Sequence, residues 1–216
     1  MSIRVLVADD QGAVRAGLAM ILRIAPDVEV VGEAADGVAA VRMARALRPD
    51  VTLMDVRMPG KDGIEATREI VAEQLGDVLV LTTFDIDEYV YAALRAGAAG
   101  FLLKSVEAPR LIEAVRQVAA GDGVLEPGIT RRLLQAFAAT GPSDAVPVTR
   151  PPGLDTLTPR EREVLGYLAE GLTNQQISRR MRIGETTVKT HVSRVLAKLD
   201  VRSRVQAAIL ARELGL

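Results

Sequence analysis

Five short apolar runs in the first half of the chain, at 3–8, 28–34, 51–54, 78–81 and 100–103, leave it few folds to choose from. Four of them stop on a polar group: Asp9 and Asp10 after the first, Asp55 after the third, Thr82 after the fourth, Lys104 after the fifth. Between the runs lie stretches with helical spacing of apolar residues, at 14–24, 37–47, 64–75, 87–96 and 108–120. Short continuous apolar strands alternating with helices predict βαβ units, and right-handed crossovers then build a parallel sheet between two helical layers. Pro26, Pro49 and Gly97 stand where helices should stop. In a doubly wound sheet of order 2-1-3-4-5 the winding reverses between strands 1 and 3, with strands 4 and 5 alongside. That order predicts that Asp9, Asp10, Asp55, Thr82 and Lys104 share one crevice at the carboxyl edge.

Three crowded carboxylates repel one another unless a cation joins them. Hard oxygen donors at an open position suit Mg²⁺ that keeps several waters, or Mn²⁺ in its place. Such an ion, with the Lys104 ammonium, would offset the charge of a phosphoryl group arriving on Asp55. A single Asp at a strand end is more often a loop solubiliser or a helix cap, and a single Lys plain solvated charge. Five such groups at matching strand ends are hard to assign to chance.

The rest of the chain differs in composition. The net charge of −1 divides into −5 up to residue 154 and +4 from Asp155 onward, where 11 Lys and Arg face 7 Asp and Glu. A basic rear is expected where the partner is a polyanion. Gly121-Asp122-Gly123 ends the front domain, a short helix over 129–139 is possible, and residues 140–153 hold four prolines and two glycines without periodicity. The expected division is therefore a front domain over 1–121, a linker over 122–154 and a rear domain over 155–216.

The rear domain reads as four helices. Thr158-Pro159-Arg160-Glu161, Thr173-Asn174-Gln175-Gln176 and Ser203-Arg204-Val205-Gln206 fit capping boxes, the first with proline at the first helical position. A helix over 174–181, a turn at Arg182-Ile183-Gly184 and a helix over 186–199 form a helix-turn-helix. On a helical wheel Val188, Val192, Val195, Leu196 and Leu199 share one face, to pack on Val164, Leu165, Leu168, Ile177 and Met181. The opposite face carries the small residues Thr186, Thr190, Ser193 and Ala197, flanked by Lys189, Arg194 and Lys198. Small residues let a helix backbone approach base edges, and long cations beside them reach phosphates and guanine acceptors. His191, the only histidine, sits at the wheel's edge and reads as packing or phosphate-contacting.

Residues 1–120 resemble the receiver domain of bacterial response regulators. The resemblance lies in Asp9-Asp10, Met54-Asp55-Val56-Arg57-Met58-Pro59-Gly60, Thr82-Thr83 and Gly97-Ala98-Ala99-Gly100-Phe101-Leu102-Leu103-Lys104. It implies a flavodoxin-like five-stranded α/β domain in which Asp55 takes a phosphoryl group from a sensor histidine kinase. Asp10 and Asp55 would then bind Mg²⁺ directly, Asp9 through water, with the Arg57 carbonyl completing the site. Thr82 would capture the phosphoryl oxygens, and Phe101 would turn inward when Thr82 moves. Gln11-Gly12-Ala13 departs from the bulkier residues common after the acidic pair.

Residues 157–216 resemble the LuxR-type DNA-binding domain of NarL-like regulators through Leu157-Thr158-Pro159-Arg160-Glu161-Arg162-Glu163-Val164-Leu165, Thr186-Thr187-Val188-Lys189-Thr190-His191-Val192 and Lys198-Leu199. That resemblance implies base contacts from Lys189, Thr190 and Ser193. It implies backbone contacts from Thr173, Asn174, Thr187, Arg202 and Ser203, and a homodimer on double-stranded promoter DNA.

Other classes fit less well. Phosphohydrolases that pass through an aspartyl phosphate commonly carry an acid two residues beyond the nucleophile. Here that position is Arg57, which has no proton to give usefully, so an enzyme is not expected. A regulator gated by a protein or ligand, without phosphate, would usually lose an acidic residue or the lysine, and this chain keeps all of them. With no cysteine there is no thiolate metal or redox site. The first ten residues are too short and acidic for a signal peptide, and no uncharged run approaches the roughly 18–20 residues that span a bilayer. A cytoplasmic protein without membrane contact is the expectation.

Overall fold

The computed structural model describes residues 2–82, 87–125, 153–201 and 203–216. The expected helix over 129–139, residues 126–152 of the linker expected over 122–154, Thr83 and Arg202 lie outside them. The chain forms two compact units. The first holds the described residues up to Ala120 together with Val124–Leu125; the second holds Gly121–Gly123 and the described residues from Gly153 onward.

In the first unit β1 (Ile3–Ala8), β2 (Val28–Ala34), β3 (Val51–Asp55), β4 (Asp77–Thr82), β5 (Gly100–Leu103) and β6 (Val124–Leu125) form one parallel sheet in the order β2-β1-β3-β4-β5-β6. The helices are α1 (Gly12–Arg23), α2 (Gly37–Leu47), α3 (Gly63–Ala72), α4 (Asp87–Ala96) and α5 (Ala108–Ala119). The five expected strands take the expected order. Two differences from the sequence reading stand out. Asp55 and Thr82 extend their strands by one residue because the ladder continues through them, Asp55 opposite Leu81 and Thr82 opposite Leu103. A two-residue sixth strand pairs with β5 after the Gly121-Asp122-Gly123 break, and two residues are too few to show a period.

The central strands carry no polar face. Val5, Leu6 and Val7, then Val51, Leu53 and Met54, then Val78 and Leu79 are fully buried, as strands covered on both sides must be. Below the sheet Leu18 and Leu22 of α1 and Leu111, Ala114, Val115 and Val118 of α5 close one core. Asp36 and Asp62 cap α2 and α3 by accepting from the N–H groups of Ala39 and Glu65, each three residues on. Gly63 opens α3 with its N–H on the Val56 carbonyl, and a Cβ there would lie 1.8 Å from the Asp55 carbonyl oxygen. Only glycine lets α3 start so close to the end of β3.

The second unit contains a 3₁₀ turn (Leu154–Thr156), α6 (Pro159–Ala169), α7 (Asn174–Met181), α8 (Glu185–Leu199) and α9 (Arg204–Glu213). The capping boxes of Thr158 with Glu161 and of Thr173 with Gln176 form. The Gln206 N–H donates to Ser203 Oγ at the start of α9. The core joins Val164, Leu165 and Leu168 of α6, Ile177 and Met181 of α7, Val188, Val192, Val195 and Leu199 of α8, and Ala207 and Ala211 of α9. Arg182, with φ of 54°, turns the chain between α7 and α8. Among the described residues no helix is long and apolar enough to cross a membrane.

Candidate functional site

Strand ends bring the acidic residues together. Carboxylate oxygens of Asp9, Asp10 and Asp55 lie within 4.8 Å of one another. Lys104 follows β5, and its N–H donates to the Thr82 carbonyl at 2.7 Å, fixing the ends of β4 and β5 to each other. Its Nζ stands 2.6 Å from Asp9 Oδ2 and 3.0 Å from Asp55 Oδ1. Asp9 Oδ2 makes no directed hydrogen bond, so the shorter contact is ionic in character. The other Asp9 oxygen accepts from the Gln11 N–H at 2.9 Å, and the Arg15 guanidinium donates to the Asp9 carbonyl.

Exposure separates the roles open to the three acids. The side chains of Asp9, Asp55 and Lys104 are 1%, 7% and 8% exposed, while Asp10 is open to solvent. Burial raises the Asp55 carboxyl above its ordinary range; Lys104 opposes that rise and the Asp9 charge adds to it. A cation would relieve both burial and repulsion. Three hard oxygen donors, one of them accessible, fit a divalent ion of the Mg²⁺ type. The Arg57 side chain is exposed in the loop after β3. Thr82 is buried at the end of β4, and Phe101 is fully buried in β5. An open depression of about 440 Å³ beside Asp36, Val38, Ala39, Arg42, Pro59 and Gly60 includes none of these groups.

In the second unit α8 presents Thr186, Thr187, Lys189, Thr190, Ser193, Arg194 and Ala197 to solvent. The Thr190 hydroxyl donates to the Thr186 carbonyl at 3.0 Å, which satisfies the hydroxyl within the helix. His191 lies at the edge of the packed face, its Nδ1 buried and without a hydrogen-bond partner among the described residues. Lys198 does not flank the open face as the wheel suggests. Its Nζ is held 2.7 Å from Glu161 Oε2 and donates to the Thr156 carbonyl at 2.9 Å. Glu161, 3% exposed, also accepts the Thr158 N–H, and these bonds lower its carboxyl from 4.5 to about 2.

The residues expected at the DNA backbone fall in different environments. Thr173 is half-buried at the cap of α7 and Thr187 is exposed. Ser203 is buried as the cap of α9. Asn174 is 1% exposed, and its Oδ1 accepts from Arg204 at 3.0 Å. Neither Arg204 nor the Glu161–Lys198 pair was identified from sequence, since their partners lie 30 and 37 positions away and follow no local period.

An acidic crevice with one lysine on a doubly wound sheet, in one chain with a four-helix helix-turn-helix unit, defines a signalling receiver coupled to a DNA-binding module. Residues 5–116 match the response regulator receiver domain, and residues 155–211 match the bacterial regulatory proteins of the LuxR family. The chain is 44% identical over 211 residues to the transcriptional regulatory protein LiaR of Bacillus subtilis, covering 97% of this chain and 96% of that protein. It is 39% identical over 209 residues to the nitrate/nitrite response regulator protein NarL of Escherichia coli, covering 95% and 93%. Among solved structures, the response regulator ChrA of a heme-sensing two-component system superposes with a TM-score of 0.55 at 37% identity, covering 99% of this chain and 98% of that one. The chain belongs to the two-component response regulators that pair a receiver domain with a LuxR-type DNA-binding domain. It is a DNA-binding regulator of transcription, and regulators of this family act with sensor kinases.

Proposed function

We propose that Asp55 accepts a phosphoryl group from a cognate sensor histidine kinase and that this modification drives dimerisation and sequence-specific promoter binding. The observation that carries the reading is the meeting of three carboxylates within 4.8 Å, two of them bridged by Lys104. In this reading an Asp55 oxygen attacks phosphorus, the bond from phosphorus to the kinase's histidine nitrogen breaks, and its electron pair stays on the imidazole. Asp10, Asp55 and the Arg57 carbonyl would hold Mg²⁺ or Mn²⁺, with Asp9 acting through water. The ion's contribution when bound is to neutralise charge on the transferring group. Lys104 balances the remaining charge, and Thr82 hydrogen-bonds the phosphoryl oxygens with Phe101 packed behind.

The added charge is about −1.5 to −2. Moving a two-state equilibrium from 1:99 to 99:1 takes about 5.5 kcal/mol, which a buried phosphoryl group held by a cation, a hydroxyl and a lysine is placed to supply. A single four-helix unit makes few phosphate contacts, so one copy should bind DNA weakly at physiological salt. A symmetric pair doubles the contacts and reads two half-sites about one turn apart. Lys189, Thr190 and Ser193 then face bases, and Thr173, Asn174, Thr187, Arg202 and Ser203 the backbone.

Incubation with acetyl phosphate and Mg²⁺ tests the first step. The unaltered chain should become labelled and Asp55→Asn should not; undiminished labelling of that variant would move the phosphoacceptor elsewhere. Labelling that leaves both self-association and DNA affinity unchanged would favour a regulator gated by a protein or ligand partner.

A further inference from the structure

The turn from β1 into α1 lacks the device that opens the next two helices. Asp36 and Asp62 cap α2 and α3, whereas the Gln11 side chain makes no cap bond to α1. Arg15, one turn into α1, reaches back instead. Its guanidinium donates to the Asp9 carbonyl at 2.7 Å, and its Nε lies 3.8 Å from Glu33 Oε2 on β2. Arg23, at the far end of α1, meets the same Glu33 at 3.2 Å.

The Asp9 side chain needs little of this help. One of its carboxylate oxygens takes the Gln11 N–H and the other faces Lys104, while the Asp9 N–H donates to the Ala34 carbonyl. Asp10 is different. It is exposed beyond the end of β1, and among the described residues no hydrogen bond or ion pair fixes its carboxylate. Its place within 4.8 Å of Asp9 and Asp55 is therefore set by its backbone. The Asp9 carbonyl and the Asp10 N–H belong to one planar peptide, so the bond from Arg15 orients the unit that leads into Asp10. A charged donor makes that bond one of the stronger kind. The same guanidinium is also a positive charge beside a place for a cation, which taken alone would weaken ion binding. Positioning and charge thus predict opposite signs when Arg15 is removed.

We propose that Arg15 is a positioning residue for the divalent-ion site: by holding the Asp9 carbonyl it aims the otherwise untethered Asp10 carboxylate at Asp55. The inference rests on the reading of the acidic crevice as a Mg²⁺ site and names a residue outside the ligand set that governs its affinity. Groups that orient metal ligands commonly change affinity by about ten- to hundredfold when removed.

The test is titration of the full chain with Mn²⁺, the free ion counted by its electron paramagnetic resonance. Arg15→Met keeps an apolar stem and removes the donors, and should bind Mn²⁺ about tenfold more weakly. Arg23→Met, which loses only a contact to Glu33, should bind like the unaltered chain. Labelling by acetyl phosphate gives a second readout: Arg15→Met should need about ten times more Mg²⁺ for half its maximal rate, yet reach the unaltered rate at saturation. Equal or tighter Mn²⁺ binding by Arg15→Met overturns the inference and leaves the ion site standing, as does an equal loss in both variants. An unaltered chain that binds no Mn²⁺ removes the ion reading and the inference with it. One measurement needs no variant to fold. Coupling is reciprocal, so saturation with Mg²⁺ should slow the exchange of the Arg15 guanidinium protons with water, and unchanged exchange overturns the inference.

Discussion

Lys104 Nζ lies 3.0 Å from Asp55 Oδ1, and both side chains are more than nine-tenths buried. The same ammonium faces Asp9 Oδ2 at 2.6 Å, so one cation serves two buried carboxylates. Removing it leaves like charges facing each other out of water. Lys104→Ala should destabilise the first unit by about 3 kcal/mol, the order expected when one partner of a buried ionic group is deleted. Mg²⁺ should recover more stability in this variant than in the unaltered chain, because the ion supplies the missing positive charge. Urea unfolding with and without Mg²⁺ measures both effects. A variant as stable as the parent would mean that Lys104 is effectively solvated.

Asp55 gives a prediction of opposite sign. Its folded pKa is raised above the ordinary 3.8, chiefly by burial. A carboxyl raised in this way favours folding in its protonated form. That contribution is complete below the unfolded value and fades as pH rises through the folded value. At neutral pH and without a divalent ion, ionised Asp55 therefore weakens the fold. Asp55→Asn should be more stable there, and the gain should shrink below the unfolded value. Saturating Mg²⁺ should also erase it, since only the carboxylate benefits from the ion. Denaturant titrations across pH, at zero and saturating Mg²⁺, read the difference; a gain independent of both would rule out charge as its source.

Much of this site was legible because its parts are local. Asp9, Asp55 and Lys104 each end a strand whose apolar run is visible in the sequence, and the doubly wound order fixes which ends adjoin. The same holds for α8, where Val188, Val192, Val195 and Leu199 mark the packed face and all four are buried. What escaped depends on distance along the chain or on very short elements. β6 has two residues and no period. Lys198 looked like a free cation on a helix flank because nothing near it announces Glu161, 37 positions earlier.

Glu161 and Lys198 tie the start of α6 to the last turn of α8. With its carboxyl lowered from 4.5 to about 2, Glu161 contributes stability that is present above the unfolded value and is lost as pH falls from about 4.5 toward 2. Glu161→Gln should cost the second unit about 1–2 kcal/mol at neutral pH, a figure discounted because Lys198 is 32% exposed. The variant should also show a flatter acid dependence than the parent over that window. Amide resonances of α6 and α8, followed during acid titration of the full chain, report it directly. Parallel acid profiles for the two chains would remove the pair from the account.

Lys189 and Arg194 are both exposed cations on α8, yet they should differ in what they read. Lys189 stands in the N-terminal half of the helix, beside the small residues Thr186, Thr190 and Ser193, where a helix lying in the major groove brings side chains to base edges. With the Thr190 hydroxyl engaged by the Thr186 carbonyl, the ammonium of Lys189 is the strongest donor beside those small residues. Arg194 is farther along, where the helix should leave the bases and pass the backbone. Lys189→Ala should therefore lower affinity for a selected promoter by about 1–3 kcal/mol, with a smaller loss on random duplex. Arg194→Ala should weaken both alike and reduce the salt slope by about one. Binding isotherms on selected and random duplexes at several salt concentrations separate the two patterns. If Lys189→Ala lowers both affinities equally and flattens the salt slope, Lys189 is a phosphate contact and sequence is read by its neighbours.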